Sequence, residues 1–462
     1  MIRLFKHYIP FEVMLLCLVD LLLLALAAEI GWQFRIFQLG IDPGAFLSRL
    51  PGIAGFAVIV WLAIIAVGTY TPLALRSLRY ALARMFVALG LGIFAISFVN
   101  LVFPGTALWR SILLYAMGIG LVLLVANRLV FSRIIGTQAF RRRILVLGAG
   151  PRAQRLVDMS NHPDSGFKVV ACVAMGSGSD ERVDNAIERA SITDFGRFVA
   201  GHGAHELVLA MQERRNTLPL KDLLRVKTTG VDVSDLSGFL ERETGRLDLD
   251  TLNPSWLIFS DGFTAGQRLS SIAKRIFDIV ASLLLLVIAL PLIIIFAVLV
   301  KLESRGPAFY RQVRVGLFGE PFQIPKLRSM RQDAEADGAK WAEKDDPRIT
   351  RVGRFIRTVR IDELPQLWSV LKGEMSFVGP RPERPQFVAE LEEKLPYYAE
   401  RHMVKPGITG WAQINYPYGA SIEDARSKLE YDLYYAKNYS PFLDLLILLQ
   451  TGRVILWPEG AR

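Results

Sequence analysis

Four long apolar runs crowd the first 135 residues, and they constrain the fold more than any other feature. They occupy roughly residues 11–31, 51–70, 81–103 and 109–132. Each is close to the about 20 apolar residues that an α-helix needs to cross a bilayer. Buried helices of a soluble core are the alternative, but four such runs so close together leave no polar faces to cover them. The pattern therefore predicts four transmembrane helices within residues 1–135.

The first run also has features of a cleaved signal peptide. Arg3 and Lys6 precede it, and the tripeptide ALA at 25–27 resembles a cleavage site. However, the run is long and it contains Asp20. An uncleaved first helix is therefore the favoured interpretation.

The distribution of positive charge predicts how these helices are oriented. If the N-terminus lies in the cytoplasm, the segments on that side carry far more cations than the opposite loops. The cytoplasmic set is Arg3, Lys6, Arg76, Arg79, Arg84, Arg128, Arg133, Arg141, Arg142 and Arg143, and the opposite set is Arg35, Arg49 and Arg110. Because Lys and Arg accumulate in cytoplasmic loops, we expect everything after residue 140 to lie in the cytoplasm.

Charge and cysteine content narrow the classes of partner. The chain of 462 residues has a formal net charge of +10, which suits phosphorylated ligands, nucleic acid or anionic lipid. It contains only two cysteines, Cys17 and Cys172, so a disulfide framework and a cysteine-based zinc site are excluded. The five histidines show no metal-ligand spacing.

A βαβ pattern begins immediately after the fourth run. The segment RRRILVLGAGPRAQRLV (141–157) reads as a buried strand followed by Gly148-x-Gly150-x-x-Ala153, and further strands are predicted at 167–175 and 205–211. A dinucleotide site would place a pyrophosphate at this helix N-terminus. However, proline follows the second glycine, and the second strand ends in VAM (173–175) without the acid that would hold a ribose. We therefore expect a degenerate Rossmann-like domain at 141–262 with a regulatory or scaffolding role.

A fifth apolar run, at 274–301, differs from the first four. It has 22 uncharged residues from Ile279 to Val300, with cations before and after it, and Pro291 lies near its middle. Proline removes a backbone hydrogen bond and kinks a helix. These features favour a segment that enters the membrane, bends near Pro291 and returns to the same side. A proline-kinked fifth span is the alternative.

A dense set of basic residues follows this run. Arginines recur at every third position from 348 to 360: Arg348, Arg351, Arg354, Arg357 and Arg360. This spacing winds slowly around a helix, so several guanidinium groups can face one cleft and bind phosphate oxygens. Lys326 and Arg328 add charge from a strand-like segment, and Arg381 stands between two prolines in GPRPE (379–383).

An acidic pair, Asp362 and Glu363, lies inside this basic region in RIDELPQLW (360–368). A structural interpretation makes Asp362 the N-cap of a helix whose first turn contains Glu363 and Pro365. A catalytic interpretation makes one carboxylate a nucleophile toward phosphorus and the other a ligand of Mg²⁺. The second interpretation also explains the surrounding cations, which would collect a phosphorylated substrate.

The chain from about 270 to 462 resembles the bacterial sugar transferases that begin exopolysaccharide synthesis, the polyprenyl-phosphate hexose-1-phosphate transferases or monotopic phosphoglycosyl transferases. The resemblance is carried by collinear motifs, and residues 1–260 also look like the amino-terminal part of the large members. The motifs are KRIFDIVASLLLL, GPAFYRQVRVGLFGEPF, KLRSM, DPRITRVGRFIR, RIDELPQLW, GEMSFVGPRPE, VKPGITGWAQINYPYG and KLEYDLYYAKNYSPFLDLLIL.

The resemblance implies a membrane α/β protein with four transmembrane helices, a Rossmann-like domain, a re-entrant helix at 270–301 and an α-rich catalytic domain at 302–462. It implies transfer of hexose-1-phosphate from a UDP-hexose to undecaprenyl phosphate, with release of UMP, at the cytoplasmic face of the bacterial inner membrane. The re-entrant helix would break at Pro291, although Leu290 stands where some relatives have serine.

The resemblance also implies roles for individual residues. Asp362 would become covalently phosphorylated by the sugar phosphate, and Glu363 would assist at Mg²⁺, which the acidic pair would bind. Arg381 would contact the nucleotide. Lys326 and Arg328 would make phosphate or structural contacts, and Arg357 and Arg360 would add to the substrate-binding cations.

Two other classes of function are alternatives for this chain. A membrane-anchored regulator or dinucleotide sensor with a degenerate transferase domain is the main alternative, but both acids of the pair are present. A nucleic-acid binder has no support beyond net charge, because no aromatic and basic stacking platform is apparent. The sequence names neither the hexose nor the oligomeric state, and a homodimer stays open.

Overall fold

The structure is a computed structural model that divides into two compact units. One unit comprises residues 1–2 and 9–253, and the other comprises residues 3–8 and 254–462. The residues described are 2–4, 7–9, 11–70, 78–102, 108–135, 141–162, 165–175, 183–212, 218–252, 254, 257, 263, 268–331, 348–417, 419 and 421–456. Arg76 and Lys6, which contributed to the charge asymmetry, lie outside this set.

Long apolar helices form the first part of the first unit, as predicted. After two short strands, β1 and β2, come the helices α1 to α4. The bounds are β1 Ile2–Leu4, β2 His7–Ile9, α1 Phe11–Leu39, α2 Phe46–Ala66, α3 Leu78–Val102 and α4 Arg110–Ile135. All four helices are long and apolar enough to cross a membrane, which indicates a membrane-associated protein. Helices α1 and α4 approach closely at Gly31, where an added Cβ would lie 2.9 Å from the backbone nitrogen of Ala116.

A buried polar cluster joins three parts of this helical region. Asp20 on α1 is fully buried and accepts hydrogen bonds from Tyr70 (2.8 Å), Asn127 (2.7 Å) and Arg128 (2.7 Å). The guanidinium group of Arg128 also lies over the Tyr70 ring, 5.0 Å from its centroid. Charges among apolar helices persist only when they are paired in this way. The cluster therefore fixes α1 against α4 and against the segment that follows α2.

The second part of this unit is a parallel five-stranded sheet with the strand order β5-β4-β3-β6-β7. The strands are β3 Arg142–Leu147, β4 Phe167–Ala174, β5 Ile187–Glu188, β6 Glu206–Leu209 and β7 Asp232–Asp235. The helices are α5 Pro151–Asn161, α6 Phe195–Gly201, α7 Leu220–Thr228 and α8 Leu236–Thr244. Apolar side chains cover both faces of the sheet, and they form two separate core clusters. The three strands predicted from sequence are confirmed, and the order is that of a Rossmann-like half.

The glycines of the fingerprint serve the packing of the strand ends. Gly148 has φ +129°, and a Cβ there would lie 3.0 Å from the carbonyl carbon of Ala210. Its backbone nitrogen donates to the carbonyl of Val173 (2.8 Å). Gly150 then precedes α5, and Pro151 occupies the first turn, where its missing N–H group is tolerated. Both features have a structural explanation that needs no nucleotide, and the predicted lack of dinucleotide binding stays a prediction.

The second unit begins with α9, a helix of 36 residues from Arg268 to Glu303. Helical backbone continues through Pro291, so a bend there would be a kink within one helix. Residues 271–303 form the fifth helix that is long and apolar enough to cross a membrane. The middle of α9 exposes a series of large apolar side chains, namely Leu283, Leu284, Leu285, Val287, Ile288, Leu290, Leu292, Ile294 and Ile295.

Short elements make up the remainder of the second unit. The strands are β8 Phe309–Val315 and β9 Pro321–Leu327, which form an antiparallel hairpin, and β10 Ser376–Val378 and β11 Gly407–Thr409, which pair in parallel. The helices are α10 Arg351–Thr358, α11 Leu367–Lys372, α12 Pro385–Lys394, α13 Trp411–Asn415, α14 Ile422–Asn438 and α15 Pro441–Leu456. This unit contains every predicted catalytic and substrate-binding residue.

The beginning of α9 is fastened to this unit by charged and polar contacts. Lys274 pairs with Asp444 (2.5 Å), and Arg275 donates to the last carbonyl groups of α11. Asp278 is buried and accepts hydrogen bonds from the Ser376 hydroxyl (3.0 Å) and the Phe377 backbone nitrogen (3.1 Å).

The end of α9 contacts the same unit. The Glu303 carboxylate accepts hydrogen bonds from the backbone nitrogens of Arg351 (2.8 Å) and Val352 (3.0 Å), at the start of α10. One turn of α10 further on, the ring of Phe355 stacks on that of Phe296, with 5.7 Å between centroids. Both ends of α9 are therefore held by one compact body.

Candidate active site

The acidic pair lies on a tight turn between two short helices. Arg360 follows α10 with a left-handed backbone (φ +60°), and a 3-10 turn then runs from Ile361 to Gln366 and continues into α11. The structural interpretation of Asp362 as an N-cap is wrong, because Asp362 lies inside the turn and no side chain caps it. The left-handed Arg360 instead directly precedes the turn that contains both acids.

Asp362 has an unusual environment for a carboxylate. It is 8% exposed, and its Oδ1 atom has no hydrogen-bond partner among the described residues. Burial and the neighbouring Glu363 charge raise the pKa of Asp362, while Lys326, Arg360 and Arg357 oppose them. A buried acceptor with no partner is destabilising unless something else meets it. The environment of Asp362 is therefore typical of a carboxylate that contacts a ligand.

Glu363 is surrounded by cations instead. Its Oε1 atom lies 2.8 Å from Arg381 Nη2, 3.5 Å from Arg360 Nη1 and 3.6 Å from Lys326 Nζ. Burial alone would raise the pKa of Glu363, but these three cations outweigh it and hold the pKa below its usual range. Glu363 is therefore ionised and gathers the cations next to Asp362.

Lys326 reaches the acids from the hairpin. Burial lowers its pKa to about 8, and Arg381 and Arg314 add to this effect against the attraction of Glu363. Lys326 lies opposite Tyr310 in the register of β8 and β9, so the pairing of the hairpin fixes the backbone position of Lys326. Arg314 on β8 is a further cation that acts on Lys326. The sequence analysis did not single out Arg314.

Close backbone packing positions Arg381. A Cβ on Gly379 would lie 2.2 Å from the carbonyl oxygen of Lys405, and one on Gly407 would lie 2.1 Å from the Gly379 nitrogen. Only glycine permits this close approach between the segment that follows β10 and the start of β11. Gly407 also donates its N–H to the Pro380 carbonyl (2.9 Å), which holds the loop just before Arg381.

Two further arginines hold the same loop. Arg401 donates to the carbonyl of Arg381 (2.9 Å) and pairs with Asp432 (2.7 Å). All of these groups belong to the second unit. Arg314 donates to the carbonyl of Pro382 (3.0 Å). Arg401 and Asp432 are both buried, and neither was predicted. Their separation of about thirty positions in the sequence gives no local signal of pairing.

The structure brings together most of the predicted site. Asp362, Glu363, Lys326, Arg360 and Arg381 form one cluster, which we call the acidic-pair cluster. Arg357 is half-buried on α10 and acts on Asp362 through its charge.

Arg328 is not part of the acidic-pair cluster. Its guanidinium group donates to the carbonyls of Arg305 (2.8 Å) and Ser304 (2.8 Å) and to the Ser304 hydroxyl (2.9 Å), just beyond the end of α9. Of the phosphate and structural contacts expected of Arg328, the structure shows a structural one, and a contact with substrate stays a prediction. Arg328 lies one residue beyond β9, and its long-range partners differ from those of Lys326.

The acidic-pair cluster is compatible with Mg²⁺. Among the described residues, no group of three or more His, Cys, Asp and Glu side chains could hold a metal. Mg²⁺ is commonly held by one or two carboxylates together with water and substrate phosphates. The unpartnered Oδ1 of Asp362 fits that role, and the three ion pairs of Glu363 all use Oε1, leaving Oε2 outside them.

Comparison with known proteins places this site in a family. The sequence model of the family described as bacterial sugar transferase matches residues 269–458, which include α9 and the whole acidic-pair cluster. The chain is 42% identical over 190 residues to a UDP-glucose:undecaprenyl-phosphate glucose-1-phosphate transferase of Caulobacter vibrioides, covering 41% of this chain and 71% of that relative. The chain belongs to the bacterial sugar transferase family.

Other relatives are named for different sugars. A UDP-N-acetylgalactosamine-undecaprenyl-phosphate N-acetylgalactosaminephosphotransferase of Aeromonas hydrophila is 44% identical over 240 residues, which are 52% of this chain and 56% of that protein. A UDP-glucose:undecaprenyl-phosphate glucose-1-phosphate transferase of Escherichia coli K12 is 41% identical over 180 residues, covering 38% and 39% of the two chains. The match thus spans about half of the Aeromonas protein and less of the Escherichia coli protein.

Proposed function

We propose that this protein transfers hexose-1-phosphate from a UDP-sugar to undecaprenyl phosphate and releases UMP, as the first membrane step of exopolysaccharide synthesis. The observation that carries the proposal is the pairing of opposite environments at the acidic-pair cluster. Asp362 is buried with an unpartnered oxygen, and the adjacent Glu363 collects three cations. Membership of the bacterial sugar transferase family supports the same reaction class.

In the first half-reaction, a carboxylate oxygen of Asp362 attacks the phosphorus that carries the sugar. A bond forms between that oxygen and phosphorus, and the bond from phosphorus to the bridging oxygen breaks. The electron pair of the broken bond leaves with UMP, and an acyl phosphate joins Asp362 to the sugar phosphate. Lys326, Arg360 and Arg381 lie where they can bind the phosphate oxygens, and Arg381 is assigned to the nucleotide side.

In the second half-reaction, an oxygen of undecaprenyl phosphate attacks the same phosphorus. The new pyrophosphate bond forms as the acyl-phosphate bond breaks, and Asp362 recovers its carboxylate. Mg²⁺ held by the acidic pair would neutralise phosphate oxygens in both half-reactions and the UMP that leaves in the first. The raised pKa of Asp362 suits its role as nucleophile in the first half-reaction, since a more basic carboxylate is the stronger nucleophile.

Release of UMP from a panel of UDP-sugars tests the reaction and identifies the donor. The panel should contain UDP-glucose, UDP-galactose and UDP-N-acetylgalactosamine, because relatives are named for glucose and for N-acetylgalactosamine. We expect UMP release with at least one donor. Repeated turnover should require both undecaprenyl phosphate and Mg²⁺. No release with any donor, together with a thermal shift on adding NAD or NADP, would favour the regulator or sensor alternative.

We further propose that α1 to α4 cross the membrane with the N-terminus inside, and that α9 enters and leaves on the cytoplasmic side. The contacts at both ends of α9 support this path. Asp278 and Glu303, near the two ends of α9, both contact the remainder of the second unit. A straight helix would separate these two residues by roughly 37 Å. The hydrocarbon core is roughly 30 Å thick. A straight crossing would therefore require this one unit to contact opposite faces of the membrane.

Cysteine accessibility in intact cells checks the path of α9. Single cysteines near Ser271 and near Gly306, in a background without Cys17 and Cys172, should both resist a membrane-impermeant thiol reagent added outside. Both should react after the cells are opened. Labelling of the second position from outside would mean that α9 is a fifth span. A Pro291→Leu variant should straighten α9 and increase labelling at that second position.

A further inference from the structure

A cavity outside the acidic-pair cluster lies between the tip of the β8–β9 hairpin and a 3-10 turn at Ala399–Met403. Its volume is about 310 Å³, and it is lined by Phe318, Gly319, Glu392, Ala399, His402 and Met403. Pockets for small molecules usually occupy roughly 300–1,000 Å³. The cavity is therefore large enough for part of a ligand, and the proposed chemistry does not yet use it.

Phe318 forms one wall in a strained conformation. Its backbone is left-handed, with φ 56° and ψ 25°, and its residue exposure is 71%. A bulky residue with positive φ is a rare outlier, and such outliers concentrate at ligand sites. An aromatic side chain that is both strained and exposed at a turn gains little from packing within the chain. The turn instead presents a flat apolar surface to the cavity.

His402 supplies a polar group to the lining of the cavity. It is 8% exposed, and its Nε2 atom has no hydrogen-bond partner among the described residues. Burial and the nearby Arg401 charge lower the pKa of His402 to about 3, so the ring is neutral at pH 7. A neutral imidazole nitrogen offers one hydrogen bond, as donor or acceptor according to the tautomer. This buried nitrogen is unsatisfied unless a ligand or water meets it.

The segment that contains His402 contacts the backbone of Arg381 through a hydrogen bond. Arg401, the preceding residue, is buried, pairs with Asp432 and donates to the Arg381 carbonyl (2.9 Å). One side chain therefore links the cavity to the arginine that is assigned to the nucleotide. A donor whose phosphates lie at Arg381 would have its nucleoside within reach of this wall.

We propose that this cavity binds the pyrimidine base of the donor nucleotide, with Phe318 against the ring face and His402 at the polar edge. The inference rests on the proposed function, since that function supplies a uridine nucleotide. The base combines a flat face with hydrogen-bonding edge groups, and Glu392 at the rim can accept hydrogen bonds from ribose hydroxyls. An acyl chain fits less well, because it would leave the His402 nitrogen without a partner.

Binding of UMP and ribose 5-phosphate to the purified full chain tests the proposal, because the second ligand has the phosphate and lacks the base. Stacking of a base on an aromatic ring contributes enough to change affinity at least about 5-fold. We expect Phe318→Ala to weaken UMP binding by at least this factor and to leave ribose 5-phosphate binding unchanged. Phe318→Tyr should retain UMP binding. His402→Leu should also weaken UMP binding selectively.

Phe309→Ala is the matched control, because Phe309 is another exposed aromatic residue at the far end of the same hairpin. Its UMP affinity should equal that of the wild type. Unchanged UMP affinity in both cavity variants would overturn the inference while wild-type turnover still supports the proposed function. Equal losses for UMP and ribose 5-phosphate would also overturn it. Failure of every UDP-sugar to release UMP, with UMP binding still dependent on Phe318, would instead remove the proposed function alone.

Discussion

Replacing Asp362 by asparagine should abolish UMP release in both the presence and the absence of undecaprenyl phosphate. The amide is nearly the same size as the carboxylate, but it cannot form the acyl phosphate on which the proposed mechanism depends. The variant should still bind UMP, because Lys326, Arg360 and Arg381 all pair with Glu363. The measurement is UMP release under conditions in which the wild type turns over.

Glu390→Gln is a suitable control for this change. Glu390 is exposed on α12 of the same unit and pairs with the exposed Lys394 (2.6 Å), so the loss of its charge should leave the rate unchanged. Retention of more than a few per cent of wild-type UMP release by the Asp362→Asn variant would contradict the nucleophile assignment.

The second large effect is expected on stability, at the polar cluster among the first four helices. Asp20→Leu removes the carboxylate that pairs with Arg128, which is 4% exposed. Leaving one member of a buried ion pair without its partner costs about 3–5 kcal/mol. Arg128→Leu should cost less, because Tyr70 and Asn127 still donate to Asp20.

The double variant Asp20→Leu/Arg128→Leu should be more stable than the single variant Asp20→Leu. Removing both charges eliminates the unpaired group, so the two effects are not additive. Thermal unfolding of the detergent-solubilised protein measures this, and Glu390→Gln again provides a control with an exposed pair worth about 0–1 kcal/mol. Additive losses in the double variant would show that the two charges do not act as a pair.

The sequence predicted those parts of the fold that depend on local pattern. The apolar runs became helices because length and hydropathy alone decide that structure. The βαβ pattern after residue 141 became a parallel sheet because a helix that joins two neighbouring strands makes them parallel. The contact between Arg360 and Glu363 was also predictable, since the two residues are sequence neighbours.

The rest of the site depends on contacts that no local pattern records. Arg401 meets Asp432 across 31 positions, and Arg314 meets Pro382 across 68. Lys326 and Arg328 looked equivalent in the sequence, but only Lys326 reaches Glu363, because Arg328 is used at the end of α9. The N-cap interpretation of Asp362 failed since the left-handed backbone of Arg360, an unusual conformation for arginine, starts the turn two residues earlier.

Mass spectrometry of the protein after incubation with a UDP-sugar, Mg²⁺ and no lipid acceptor tests the central claim most directly. The proposed mechanism predicts one adduct of the mass of a sugar phosphate, on a proteolytic peptide that contains Asp362, with one UMP released per adduct. The adduct should disappear when undecaprenyl phosphate is added, and the Asp362→Asn variant should not form it. UMP release that requires the lipid acceptor, with no adduct on the wild-type protein, would contradict the covalent account.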